Sequence, residues 1–290
     1  MPSQITTTSL GASIAPASSQ LFYVLSAMSV LVVIPARLKA TRLPNKPLAM
    51  MGDAPMIVQV WRRAMEAAIG EVVVACDGPE IAEAITKAGG KAVITNPDHP
   101  SGSDRVWEAV EILSGSGLSA DATLAPLKAG SPSSPSSGYD TIINLQGDVP
   151  TLEPRLLHEL LLPLDNPAVD IATLVAPITR AQEHENPSVV KAVLALNAEQ
   201  NQGRALYFTR CPAPHGEGAR YHHIGVYAYR AAALRRFVKL PPSPLELREK
   251  LEQLRALEHG FRIDARVVDT VPLGVDTAED LERARALLGA

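Results

Sequence analysis

The chain reads as an α/β protein: a mainly parallel sheet with helices on both faces, followed by a smaller antiparallel part. Three observations carry that expectation. Val30-Leu31-Val32-Val33-Ile34 is an uninterrupted apolar, largely β-branched run, the pattern of a strand buried on both faces. From there to residue 145, short apolar runs alternate with segments of helical period, the rhythm of strand–helix–strand units. From roughly residue 177 to 240, strand-like runs follow one another without long helices between them, which points to antiparallel neighbours.

In order, Val30–Ile34 is the first strand, followed by a polar loop through Lys46. Pro55–Ala68 sets Met56, Val60, Trp61 and Ala64 at helical spacing, with proline at the start, where a missing N–H costs nothing. Glu71–Ala75 is a second buried strand, and Pro79–Ala88 a helix closed by Gly89-Gly90. Lys91–Thr95 is a short strand, and Ser103–Leu113 a helix for which Ser103 is the expected cap. Asp140–Leu145 is a strand that runs into Gln146-Gly147-Asp148. Val189–Leu196, Ala205–Thr209 and Ile224–Tyr229 are the strands of the later half. One long charged helix, Pro244–His259, and a last helix, Thr277–Leu288, complete the expected set, giving a single domain over residues 28–290.

Composition excludes several classes. A chain of 290 residues buries a core without help from disulfides or metals. Twenty-seven Lys and Arg against 31 Asp and Glu leave a net charge of −4, without the broad basic footprint of a nucleic-acid binder. Any anionic ligand therefore has to be held by a local cluster of cations. Cys76 and Cys211 form no CxxC pair, which argues against a disulfide scaffold or zinc-finger array and suits a reducing cytoplasm. No charged side chain precedes Arg37, and Leu21–Ala36 is largely apolar. That run is short for a bilayer crossing and lacks the basic flank of a secretory signal, so no membrane association is expected. Residues 1–27 are expected to be a poorly ordered extension, or the product of an upstream start codon that is not used; an export signal is the alternative. Residues 114–138 consist mostly of Gly, Ser and Pro and are expected to be a low-complexity surface insertion.

The chemistry-bearing residues cluster at the ends of the inner strands. Arg37, Lys39, Arg42 and Lys46 fall within ten residues after the first strand, stiffened by Pro44 and Pro47. Ligands of open α/β sheets sit at that edge, and guanidinium forks with an ammonium suit a polyphosphate. Asp148 ends another inner strand, where it either reaches a Mg²⁺ that bridges phosphates or forms a turn. In Gly274-Val275-Asp276-Thr277-Ala278-Glu279-Asp280, Thr277 and Asp280 resemble a capping box, which leaves Asp276 to point elsewhere. Asp148 and Asp276 flanking one site would suit Mg²⁺-assisted phosphoryl chemistry. Asp77, in Cys76-Asp77-Gly78, either faces a base or ribose or simply makes a turn. His223 and Tyr227 share one face of a strand, where a partly buried structural histidine is the plain reading. Glu252 and Gln253 read as solvated helix positions. No Walker A sequence, GxGxxG, HExxH or GxSxG is present.

The blocks PARxxxTRLPxKP, CDG, HxSGSDR, LQGDVP, YFTR, HIGVYAYR, PPSPLELREKLEQLRALEHG and GVDTAEDLERAR occur in one order between Ser29 and Leu288. In this the chain resembles the 3-deoxy-manno-octulosonate (KDO) cytidylyltransferases. The resemblance implies a Rossmann-like nucleotidyltransferase sheet with an antiparallel sugar-binding and dimerisation part, and transfer of CMP from CTP to KDO. It further implies Mg²⁺ as cofactor, a homodimer, a cytoplasmic location and a role in lipopolysaccharide biosynthesis. By that likeness Ala36, Arg37, Arg42, Lys46, Asp77, Ser101 and Arg105 hold CTP, and Asp148 and Asp276 hold the metal. Gln146, Arg210, His223, Tyr227, Glu252 and Gln253 line the KDO pocket, with Arg210 facing the sugar carboxylate; this overrides the structural reading of His223 and the helix pair. Arg37, Lys46, Asp148 and Asp276 are the expected catalytic set. A synthetase for another acid sugar, amino-KDO or sialic acid, and a non-catalytic nucleotide binder of the same fold are the alternatives.

Overall fold

The computed structural model describes residues 29–38, 43–115 and 138–289. The expected N-terminal extension, nearly all of the low-complexity insertion, and both Lys39 and Arg42 lie outside the described residues.

The first half runs β1 (Val30–Ala36), a small hairpin of β2 (Met50–Met51) and β3 (Ala54–Pro55), α1 (Met56–Glu66), β4 (Glu71–Cys76), α2 (Pro79–Lys87), β5 (Lys91–Ile94), α3 (Gly102–Leu113), β6 (Thr141–Asn144) and α4 (Arg155–Leu161). The second half runs β7 (Ile171–Pro177), α5 (Ala181–Glu185), β8 (Lys191–Leu196), β9 (Gln202–Thr209), β10 (Tyr221–Arg230), α6 (Ala231–Phe237), α7 (Pro244–Glu249), α8 (Gln253–Glu258), β11 (Ile263–Val267) and α9 (Ala278–Leu288).

All strands but the hairpin belong to one sheet, ordered β5-β4-β1-β6-β10-β7-β11-β9-β8. The first four are mutually parallel, as expected. The later strands extend this same sheet, with β10 entered antiparallel between β6 and β7, whereas β7 and β11 pair parallel. Because β10 also pairs with β8, the strands β10, β7, β11, β9 and β8 close on themselves into a ring. Period-two alternation explains the layers. Val30, Val32, Ile34 and Ala36 of β1 pack with α1, α2 and α4 on one face, whereas Leu31 and Val33 pack with α3, α6 and α8 on the other. Every apolar residue of β1 but Pro35, which lines a cleft, thus has a core to enter.

Three expectations are corrected. Helix α3 is capped by Ser101, whose hydroxyl accepts from the Asp104 N–H, and Ser103 lies inside the helix. The long helix Pro244–His259 is two short helices, broken where Lys250 adopts the left-handed conformation at φ 58°. Strands β7 and β11, the β2–β3 hairpin and helices α4, α5 and α6 are additions to the expected set.

Two local devices bring the carboxyl end of the sheet together. The capping box of α9 forms as expected: Thr277 Oγ1 accepts from the Asp280 N–H, and Asp280 Oδ2 accepts from the Thr277 N–H. Leu281 and Ala284 of α9 pack on Met51 and Met56, and the Val275 N–H donates to the Asp148 carbonyl at 2.9 Å. The C-terminal segment is thereby tied to the end of β6. Gly147 supplies the second device, since a Cβ there would lie 2.8 Å from the Pro35 carbonyl oxygen and 3.2 Å from Ile57. Gly147→Ala is accordingly expected to destabilise the fold by about 1–3 kcal/mol through overpacking against backbone, measured as a lower urea midpoint. An unchanged midpoint would mean that the strand ends separate freely.

Candidate active site

The ends of β1 and β6 and the N-terminus of α3 border a cleft of about 230 Å³. Ala36, Arg37, Ser101 and Arg105, expected around the nucleotide, line it, and so does Gln146. Arg37 is exposed there, whereas Arg105 is 3 % exposed and held by Thr95 Oγ1 at 2.5 Å. Asp77 does not line this cleft. Its carboxylate accepts the Leu38 N–H at 3.1 and 3.3 Å, which pins the start of the cationic loop to the end of β4.

Lys46 lies at the first position of a short 3₁₀ turn, Lys46–Leu48, that follows Asn45 in the left-handed conformation. Asparagine is among the few side chains that accept that backbone readily. The turn aims the Lys46 ammonium at two carboxylates, 2.8 Å from Asp148 Oδ2 and 3.0 Å from Asp276 Oδ1. Burial alone would lower the ammonium's pKa, but the two carboxylates outweigh it and hold the pKa above its ordinary value. Three of the four expected catalytic residues, Lys46, Asp148 and Asp276, therefore meet at one point, and the fourth, Arg37, lines the cleft.

That meeting point fits a hard divalent cation. Mg²⁺ takes one or two carboxylates and completes its shell with water and phosphate oxygens. Asp148 and Asp276 supply such a pair, with the Lys46 ammonium as the cation now between them. Among the described residues no cluster of three or more His, Cys, Asp or Glu forms a fuller cage.

Glu252 lies on the turn into α8, against the first turn of α3. Its Oε2 accepts from Ser103 at 2.8 Å and its Oε1 from Arg255 at 3.1 Å. Burial pushes the carboxyl pKa up, and the Ser101 and Ser103 hydroxyls and Arg255 pull against it. Gln253 beside it is buried, so neither is the solvated position that its helical setting suggested.

His223 and Tyr227 do share a face of β10. A regular strand would hold their Cα atoms about 13 Å apart. The ladder with β7 shifts register between Ile224 and Tyr227, and the two ring centroids lie 5.5 Å apart. Thr173 Oγ1 secures the bulge by facing the carbonyls of Ile224 and Val226 at 3.1 and 2.9 Å, and it lies 3.1 Å from His223 Nε2. With the hydroxyl proton directed at carbonyls, Nε2 carries the hydrogen and Nδ1 is the acceptor. Burial, with a smaller push from His222, lowers the His223 pKa to about 3.

Arg210 is drawn to backbone. Its Nε donates to the Glu249 carbonyl, and its terminal nitrogens donate to the carbonyls of Pro187 and Lys250. Behind it the fully buried Lys191 ammonium donates to the carbonyls of Asn186 and Arg210. Sequence reasoning missed Lys191, Thr173, Asn144 and Arg255. A single lysine or threonine in a strand carries no signal of burial until its neighbours are known.

The cytidylyltransferase family model matches residues 31–263. The chain belongs to the cytidylyltransferase family. A 3-deoxy-manno-octulosonate cytidylyltransferase of Paramagnetospirillum magneticum is 54% identical over 263 residues, covering 91% of this chain and 99% of the relative. One from Bradyrhizobium sp. (strain ORS 278) is 59% identical over 259 residues, covering 89% and 97%. Among solved structures, a CMP:2-keto-3-deoxy-manno-octonic acid synthetase complexed with CTP matches with a TM-score of 0.76 and 37% identity, over 90% of this chain and 98% of that one. A cytidylyltransferase from Leptospira borgpetersenii, at 14% identity and a TM-score of 0.55 over 90% and 87%, shares the fold. This cytidylyltransferase shares with those neighbours the α/β fold built on a mixed, mainly parallel sheet. No helix among the described residues is long and apolar enough to cross a membrane.

The depressed pKa of His223 has a consequence for stability. Unfolded, the imidazole titrates near 6.5; folded, it stays neutral down to about 3. Between these values the unfolded chain binds a proton that the folded one does not. Stability therefore falls by about 1.4 kcal/mol per pH unit as pH drops below 6.5. His223→Gln lacks this term, so the stability gap between wild type and variant, from urea unfolding, is expected to narrow by about 2 kcal/mol from pH 7 to pH 5. An identical gap at both pH values would place the imidazole in water.

Proposed function

We propose that this protein transfers CMP from CTP to KDO, giving CMP-KDO and pyrophosphate. The observation that carries the reading is the convergence of Lys46, Asp148 and Asp276 beside the cleft lined by Arg37, Ser101 and Arg105. Near-full-length identity above one half to named KDO cytidylyltransferases supports the choice of sugar.

Arg37 and Lys46, joined by Arg42, neutralise the triphosphate, while Ala36, Ser101 and Arg105 border the nucleoside. Asp77 acts one step back, holding the loop through the Leu38 N–H. Gln146, His223, Tyr227, Glu252 and Gln253 receive the sugar acid. Three of the five Arg210 N–H groups are taken by backbone carbonyls, which leaves one on each terminal nitrogen, the pair that a carboxylate accepts. The anomeric C2 hydroxyl of KDO attacks the α-phosphorus in line; the new O–P bond forms as the bond to pyrophosphate breaks, and the hydroxyl proton passes to solvent. Asp148 and Asp276 would hold Mg²⁺, which when bound supplies charge neutralisation for the phosphates and an acidified hydroxyl. Positioning and charge carry such a transfer, and no side chain is assigned as general base. A cytoplasmic location follows from the use of CTP, with CMP-KDO serving lipopolysaccharide assembly. Leu206 of β9 and Leu247 of α7, both exposed, offer surface for a second copy in a homodimer.

The test is pyrophosphate release from CTP with Mg²⁺ present. Release is expected to require KDO, to fail with sialic acid, and to stop when the divalent cation is chelated. Asp148→Asn and Asp276→Asn are each expected to lower kcat by about 10²-fold or more. Release with sialic acid would overturn the substrate assignment, CTP binding without release for any acid sugar would overturn the enzymatic one, and full turnover of Asp148→Asn would overturn the metal assignment.

A further inference from the structure

A chain of side-chain hydrogen bonds runs from Glu252 to Gln146, and its polarity is determined at one end. Glu252 Oε1 accepts from Arg255 at 3.1 Å, and Oε2 lies 2.8 Å from Ser103 Oγ. A carboxylate only accepts, so the single Ser103 hydroxyl proton is directed at Glu252. Asn144 lies 3.5 Å from Ser103 Oγ and must approach it with its NH₂ group. Its carbonyl oxygen then faces Gln146, whose Nε2 donates to it at 3.1 Å. Ser103 and Asn144 are 1 % and 2 % exposed, so water does not compete for these groups. The amide of Gln146 is thus oriented with its NH₂ inward, leaving the carbonyl oxygen for the cleft that Gln146 lines.

We propose that Ser103 and Asn144 are positioning residues that transmit the acceptor polarity of Glu252 to Gln146, so that Gln146 offers the cleft a carbonyl oxygen and selects a ligand hydroxyl at that point. This deepens the reading above and rests on it for the identity of the ligand, a polyhydroxylated acid sugar. A freely rotating glutamine would accept or donate with equal ease and would discriminate less between a sugar hydroxyl and its absence. A site built to pair with a hydroxyl penalises the analogue that lacks it, because the buried acceptor is left unpaired.

Two measurements on the full chain test this. With selective ¹⁵N-glutamine labelling, and Gln146→Glu for assignment, the Gln146 side-chain amide protons are expected to exchange slowly in the wild type and fast in Asn144→Leu, with no sugar present. In steady-state kinetics, Ser103→Ala and Asn144→Leu are expected to raise KM for KDO about tenfold, with KM for CTP and kcat within about twofold. Both are also expected to lose the wild type's preference for KDO over one of a panel of monodeoxy analogues. Ser103→Thr, which retains the hydroxyl, restores both. Equal behaviour of the Thr and Ala variants, a parallel rise in KM for CTP, or fast exchange in the wild type would overturn the relay. Slow exchange in a wild type that does not turn over KDO would overturn the functional reading and leave the orientation of Gln146 standing. If Asn144→Leu does not fold, the Ser103 pair and the wild-type exchange rate decide.

Discussion

Asp148 and Asp276 face one point, an arrangement that costs free energy unless a cation lies between them. Their oxygens near Lys46 are at most about 6 Å apart, and with the Asp276 side chain 61 % exposed to screening water two such charges repel by about 1–3 kcal/mol. That is a sizeable part of the net stability of a typical domain. The fold nevertheless forces the encounter. The Val275 N–H is bonded to the Asp148 carbonyl, the Thr277 capping box turns the chain away immediately after Asp276, and α9 is seated on Met51 and Met56. In the structure the Lys46 ammonium offsets the repulsion, and the left-handed turn at Asn45 aims it there. A site assembled at this electrostatic cost is suited to cationic ligands and to the polyphosphates that accompany them.

The parallel half of the fold was legible because its inner strands, β1, β4 and β6, are buried on both faces. Such strands read as uninterrupted apolar runs, and the helices between them have clear period and proline or glycine boundaries. The antiparallel half was legible only as strands. Nothing in Tyr221–Arg230 says that it will insert between β6 and β7, because that choice depends on partners far away in the chain. The helix break at Lys250 was hidden for a related reason. Its residues are good helix formers, so propensity favours one continuous helix. Tertiary contacts override it: Thr209 Oγ1 and the Arg210 N–H donate to the Glu249 carboxylate, and Arg210 also takes the Glu249 and Lys250 carbonyls.

The candidate site divides the same way. The meeting of Lys46, Asp148 and Asp276 was legible from clustered charge, strand ends and a capping motif that left Asp276 free of a capping role. The KDO-pocket roles expected of Glu252 and His223 came only through resemblance, since neither a helix-surface glutamate nor a strand histidine announces its neighbours. Ser103 was misread as a cap for a definite physical reason. Ser101 and Ser103 both precede the apolar face of α3, and either can in principle satisfy an early N–H. Ser101 wins because its extended backbone lets its hydroxyl meet the Asp104 N–H. That frees the Ser103 hydroxyl for Glu252.

One strand end connects the two halves of the chemistry. Past the last ladder pair of β6 the chain keeps an alternating sense. Leu145 enters the core fully buried and its N–H still donates to the Val33 carbonyl, while Gln146 faces the cleft. Gly147 then lets the backbone pass against Pro35, and Asp148 emerges at Lys46. Asn144, Gln146 and Asp148 therefore follow one another at intervals of two, the first two engaged with the Glu252 network and the third with the cationic loop. A displacement of this strand end would move the cleft-facing amide of Gln146 and the Asp148 carboxylate at Lys46 together. Their separation is set by covalent geometry and by the β1–β6 register. Placing Gln146 and Asp148 on alternate residues of one strand end therefore holds the cleft-facing amide and the carboxylate at a constant distance, the kind of fixed spacing that a reaction between two bound groups requires.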